Sequence, residues 1–140
     1  MKDLKYLFAL TIPLSAFIGL YVKGGWLFLT PVYAFVFIPI IEHLMPVSSK
    51  NLSEDTKEKR AVNRFFDWML YANAPIVFGL LIWGFNVVST VNLSTIELTG
   101  LVISIGMVLT TNGINVAHEL GHRQESIERF LSKALLLPCL

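Results

Sequence analysis

The chain has 140 residues, of which 54% are hydrophobic and 12% aromatic while 15% are charged, with a formal net charge of +1. This balance excludes a soluble globule, and the near-zero charge speaks against a polyanionic partner such as nucleic acid. It predicts a single all-α domain over residues 1–140, an integral membrane helical bundle surrounded by lipid bilayer.

Taken in chain order, the first apolar stretch, 4–22, is close to the roughly 20 residues that a spanning helix needs. Lys2 and Lys5 precede it as they would a secretory signal, but no small-residue cleavage site follows. It is therefore expected to be a retained transmembrane helix. Lys23-Gly24-Gly25 turns the chain into a second span, 26–45. A polar loop, 46–66, holds Ser48, Ser49, Asn51 and Ser53 and then Glu54, Asp55, Lys57, Glu58, Lys59 and Arg60. It reads as a solvated linker, or alternatively as a docking patch for anionic headgroups, which attract juxtamembrane cations by about 1 kcal/mol each. Third and fourth spans follow at 67–88 and 97–117, completing four transmembrane helices.

Lysine and arginine near span ends favour the cytoplasmic side. With four crossings, Lys2, Lys5, Lys50, Lys57, Lys59, Arg60, Arg64, Arg123, Arg129 and Lys133 share one side and Lys23 alone takes the other. That asymmetry predicts both termini in the cytoplasm. Cys139 is the one cysteine, so it forms no intrachain disulfide and is expected to fill an apolar position.

The fourth span carries the chemistry. At about 100° per residue, the line running back from His118 passes Ile114 and Asn115, Thr111, Met107, Ser104 and Gly100, mostly small or polar. This stripe is expected to face the bundle interior as a helix-packing seam, or, given the histidines at its end, as a seam that also lines an apolar passage, with Leu101, Ile105, Val108 and Leu109 on the other side. At its end, Asn115-Val116-Ala117-His118-Glu119-Leu120-Gly121-His122-Arg123 sets two imidazoles four residues apart, on one helical face. Two histidines at a helix end are commonly satisfied by local partners. A pair enclosing a glutamate near hydrocarbon instead predicts ligation of a transition metal by His118 and His122, because unpartnered polar groups are costly there.

The spacing does not name the metal. The same His-Glu-x-x-His string serves zinc proteases, in which Glu119 would be the general base. Against an intramembrane zinc protease stand Arg123-Gln124-Glu125-Ser126, which leave the membrane, and the lack of any Asp after Asp67. A non-enzymatic membrane helical protein would leave the string unexplained. His43, at the end of the second span, is expected to be structural or interfacial.

The stretch from Asn112 to Arg129 resembles the first histidine box of membrane alkane 1-monooxygenases, and Pro39-Ile40-Ile41-Glu42 is similar to that family's proline, two aliphatics and an acid, with Glu where Asp is usual. Xylene monooxygenases and, more distantly, fatty acid desaturases share the plan. The resemblance implies a fatty-acid-desaturase-like fold and two non-haem iron ions held by histidines from three boxes. It further implies dioxygen as oxidant, hydroxylation of the terminal methyl of an alkane, rubredoxin as electron donor, and a multi-pass position in the inner membrane of a bacterium with the site on the cytoplasmic side. His118 and His122 match iron ligands, and Glu119 matches a family acid, a catalytic candidate whose task stays open. The second and third boxes are missing, and the chain has three histidines, His43, His118 and His122. It is therefore expected to be the amino-terminal part of a longer hydroxylase, inactive by itself.

Overall fold

The computed structural model describes residues 8–44 and 64–139. Among them there is no strand, and five helices follow in order: α1 (Phe8–Val22), α2 (Gly24–Leu44), α3 (Arg64–Thr90), α4 (Thr95–Gly121) and α5 (Ser126–Leu136). Three of these, α2, α3 and α4, are long and apolar enough to cross a membrane, whereas α1 is a shorter apolar helix. Residues 4–7 of the expected first span lie outside the described residues, as do Lys2, Lys5, Lys50, Lys57, Lys59 and Arg60, on which the orientation rested. So do residues 46–63 of the expected loop. Residues 64–66 already belong to α3, whose first turn places Asp67 where a helix dipole favours an acid.

Local chemistry explains the boundaries. Lys23 (φ 66°) and Gly24 (φ 60°) both have positive φ, so the chain reverses there and α2 opens at Gly24, ahead of the expected residue 26. The first turn of α2, Gly24–Phe28, is a tight 3₁₀ turn. Over Tyr33–Phe37 the helix widens into a π turn, where Pro39 brings no N–H to the carbonyl four residues back. Helix α4 starts at Thr95 because Ser94 and Glu97 form a capping box, in which the Ser94 hydroxyl accepts from the Glu97 N–H and the Glu97 carboxylate accepts from the Ser94 N–H at 2.7 Å.

The helices meet through small residues and hydroxyls. A Cβ on Gly19 would lie 2.7 Å from the Trp26 carbonyl oxygen, and one on Gly100 would lie 2.7 Å from the Phe28 ring, so bare glycines let α1, α2 and α4 approach. Ser104 donates to the Leu27 carbonyl at 2.6 Å and Ser15 to Thr30 at 3.2 Å, both buried. Asn112 of α4 donates to Asn73 of α3 at 2.8 Å and to the Ala9 carbonyl of α1 at 3.3 Å. Ala16, Leu20, Leu27, Val77, Leu80, Leu101, Ile105 and Val108 fill the core between them. Outward stand Phe35 (73% exposed), Ile82 (66%) and Phe85 (65%), large apolar side chains at mid-helix that water would penalise and acyl chains accommodate.

The predicted interior stripe of α4 is corrected. Gly100 and Ser104 are buried and Met107 and Thr111 half-buried, but Ile114, Asn115 and His118 are exposed, while Leu101, Ile105 and Val108, assigned to the other side, belong to the core. Leu101, Ile105 and Val108 share the buried face with Gly100 and Ser104, and beyond them the face changes at a second π turn, Leu109–Ile114. Thr110 and Thr111 hydrogen-bond back to the carbonyls of Gly106 and Met107 at 2.9 and 2.8 Å, competing with the backbone ladder. A wider turn rotates everything after it, so Asn112, Gly113, Ala117 and Leu120 turn inward instead.

Candidate metal centre

Helix α4 is 27 residues long, about 40 Å at 1.5 Å per residue. It exceeds the roughly 30 Å of a bilayer's hydrocarbon, so a helix spanning from Thr95 carries its last turn to the opposite interface. His118 lies in that turn and His122 immediately after it, as the cap residue (φ −79°, ψ −10°). Both are exposed, as is Glu119 between them.

The two rings converge. His118 Nε2 and His122 Nε2 are 3.2 Å apart, and the ring planes cross at 85° with centroids separated by 4.6 Å. With metal–nitrogen bonds of about 2.1 Å, a 3.2 Å separation subtends roughly 100° at a common ion. That angle lies between tetrahedral and octahedral values, so the pair fits a transition ion without selecting zinc over iron. The C-terminal end of α4 adds the partial negative charge of its helix dipole where the cation would sit. Among the described residues no group of three or more His, Cys, Asp or Glu could hold a metal ion. His43, exposed in the last turn of α2, is thus not gathered with the pair, and two imidazoles are the donor set that the described residues supply.

Residues that the sequence reading did not assign to the site hold the turn that follows it. Arg123 Nη1 donates to Asp67 of α3 and, at 2.9 Å, to Glu128 Oε1 of α5. Tyr71 of α3 donates its hydroxyl to the same Glu128 oxygen at 2.9 Å. Hydrogen bonding to Asp67, with that to Glu128, raises the Arg123 pKa further above its already high value, against the opposing effect of burial. Glu128 itself is 4% exposed. One residue earlier in the chain than His118, the Ala117 carbonyl accepts from Ser132 of α5 at 2.6 Å. Helix α5 had no counterpart among the expected elements. Its signal was present as Ile127, Phe130, Leu131 and Ala134 at helical spacing, with Glu128, Ser132 and Leu135 on the face turned inward. Cys139 is half-buried, and its thiol donates to the carbonyls of Leu135 and Leu109 at 3.3 and 3.7 Å.

An open groove of about 630 Å³ flanks α4 on the membrane side of the pair, lined by Ile12, Ala34, Phe35, Ile38, Met107 and Thr111, with Ile103, Gly106 and Thr110 completing its α4 wall. Thr111 precedes His118 by seven residues, about 10 Å along the axis. The lining is almost wholly apolar.

These features define a multi-pass helical membrane protein in which a spanning helix ends in a metal-competent histidine pair. No family model matches the chain. Along most of its own length the chain is similar to curated alkane 1-monooxygenases. It is 30% identical over 131 residues to alkane 1-monooxygenase 1 of Alcanivorax borkumensis, covering 89% of this chain and 32% of that protein. To alkane 1-monooxygenase of Pseudomonas putida it is 30% identical over 101 residues (71% and 24%), and to that of Ectopseudomonas oleovorans 28% identical over 141 residues (94% and 34%). The chain thus spans between about a quarter and a third of the length of these relatives, and the resemblance read from residues 112–129 is borne out.

Proposed function

We propose that this chain is part of a membrane alkane 1-monooxygenase, contributing the first pair of ligands to a non-haem diiron centre that hydroxylates the terminal methyl of alkanes. The observation that carries this is the 3.2 Å approach of His118 Nε2 to His122 Nε2 at the end of an apolar span, in a chain similar to enzymes of that name. When bound, the two iron ions would supply dioxygen activation, with electrons from rubredoxin. The chain's own residues do the rest. His118 and His122 hold one ion. Glu119, exposed between them, is assigned to the site as its acid, without the general-base role it would have in a zinc protease. The groove along Phe35, Ile38, Met107 and Thr111 takes an alkane from the bilayer by matching its apolar surface with apolar side chains, so that packing rather than transfer from water holds it.

A diiron centre requires more ligands than the three histidines of the sequence, so turnover depends on further ligands and the chain alone is expected to be inactive. We assign the protein four crossings, α1 completing the first, in the inner membrane of a bacterium with the metal site on the cytoplasmic side. The test is His118→Ala and His122→Ala in the protein as its gene encodes it, assayed in membranes supplied with rubredoxin and its reductase. Loss of bound iron and of alcohol formed from a medium-chain alkane is expected in both. Full iron content and activity in either variant refutes the assignment.

A further inference from the structure

We infer that the Asp67–Arg123–Glu128–Tyr71 cluster is a positioning device that aims the His122 imidazole at His118, and that Arg123 is its central positioning residue. The inference rests on the reading of the histidine pair as metal ligands. His118 is fixed by the helix in which it lies, but His122 is the cap residue beyond the last helical turn, and its place is set by whatever holds the chain just after it. Arg123 is that next residue. Its N–H closes on the Leu120 carbonyl at 3.2 Å, and its guanidinium is held from two sides by Asp67 of α3 and Glu128 of α5. Tyr71 fixes the Glu128 oxygen that Arg123 uses. On the other flank, Ser132 of α5 holds the Ala117 carbonyl, and a Cβ on Gly121 would meet the same hydroxyl at 3.2 Å. Helix α5 therefore holds the chain on both sides of the pair, by the Ala117 carbonyl before it and the Arg123 side chain after it, and the angle between the imidazoles is set by tertiary contacts rather than by the helix alone.

Stability does not account for the cluster. A carboxylate as buried as Glu128 is costly to desolvate, and replacing buried ion pairs with apolar residues is often neutral or stabilising. What charged, directional bonds add is geometry. One cationic nitrogen, Arg123 Nη1, is shared by both carboxylates and so ties α3 to α5, and two imidazoles can chelate one ion when their nitrogens stay about 3 Å apart.

The test uses the whole chain in detergent micelles with the Cu(II)–iminodiacetate complex as probe, reading the number of coordinated nitrogens by electron paramagnetic resonance and the affinity by titration, alongside helix content and melting. Wild type is expected to coordinate through two imidazole nitrogens, and His122→Ala through one. Arg123→Gln is expected to lose the two-nitrogen signature and to bind about 10–100-fold more weakly, with Arg123→Lys recovering the signature. Tyr71→Phe and Asp67→Asn, which leave Arg123 in place, are expected to weaken binding by smaller factors and give the same direction if Arg123→Gln does not fold. A wild type coordinating through one nitrogen overturns the metal reading and this inference with it. A two-nitrogen wild type matched in signature and affinity by folded Arg123→Gln, or by both milder variants, overturns the positioning role alone.

Discussion

Gly100→Ala and Gly106→Ala make the same change on the same helix and are expected to move stability in opposite directions. At Gly100 the new methyl would lie 2.7 Å from two carbons of the Phe28 ring and 3.1 Å from a third. Carbon pairs settle near 3.5 Å or beyond, so α2 and α4 must separate by roughly 0.8 Å or the ring must leave its rotamer. Overpacking of this kind costs about 1–3 kcal/mol, against which the helix gains up to about 1 kcal/mol by replacing glycine. At Gly106 a Cβ meets nothing within 4 Å, and the same helical gain stands unopposed. Gly106→Ala should therefore unfold at higher denaturant than Gly100→Ala, by a difference of about 1–3 kcal/mol, in detergent titrations followed by circular dichroism. Position 100 is 18 residues from His118 along α4, about 27 Å, so copper binding at the histidine pair should be unchanged in both. If Gly100→Ala proves as stable as Gly106→Ala, the close α2–α4 contact assigned here is wrong.

Two further outcomes are expected. Asn73→Ala and Asn112→Ala should be coupled in a double-mutant cycle by about 0.5–1.5 kcal/mol, since the buried amides bond each other across α3 and α4; additive effects would show that the pair contributes no mutual stabilisation. Glu119→Gln separates the metal chemistries: a diiron hydroxylase keeps bound iron and part of its alcohol formation, whereas a zinc protease, losing the group that activates water, would be dead.

Much of the fold is legible in the sequence because a spanning helix is a local pattern. The apolar runs at 26–44, 67–88 and 97–117 are helices, each begun a few residues early, while residue 45 of the expected second span lies outside the described residues. One of those shifts was readable, since Ser94-Thr95-Ile96-Glu97 is a capping box that places the start of α4. The His118–His122 pairing was equally local, because four residues is one helical turn. Glu128 is different. Its neighbours Ser126 and Arg129 are exposed and nothing in its own segment marks it as buried; its partners Tyr71 and Arg123 are 57 and 5 residues away, and Asp67, which shares Arg123 with it, is 61 residues away. The resemblance to alkane 1-monooxygenases came from the box and extends, in the relatives, over most of the chain.

By itself, then, the sequence determined a helical chain built for lipid and two imidazoles on one side of one turn, because hydropathy and helical period are set by residues close along the chain. The tertiary structure decided which way that turn faces. The π turn at Leu109–Ile114 rotates the end of α4 so that Ala117 and Leu120 pack inward and His118 outward. The nitrogens meet at 3.2 Å where α5 holds the Ala117 carbonyl before them and α3 and α5 together hold the Arg123 side chain after them. Rotation and grip depend on which helices pack together, and no period along one segment encodes its neighbour in space.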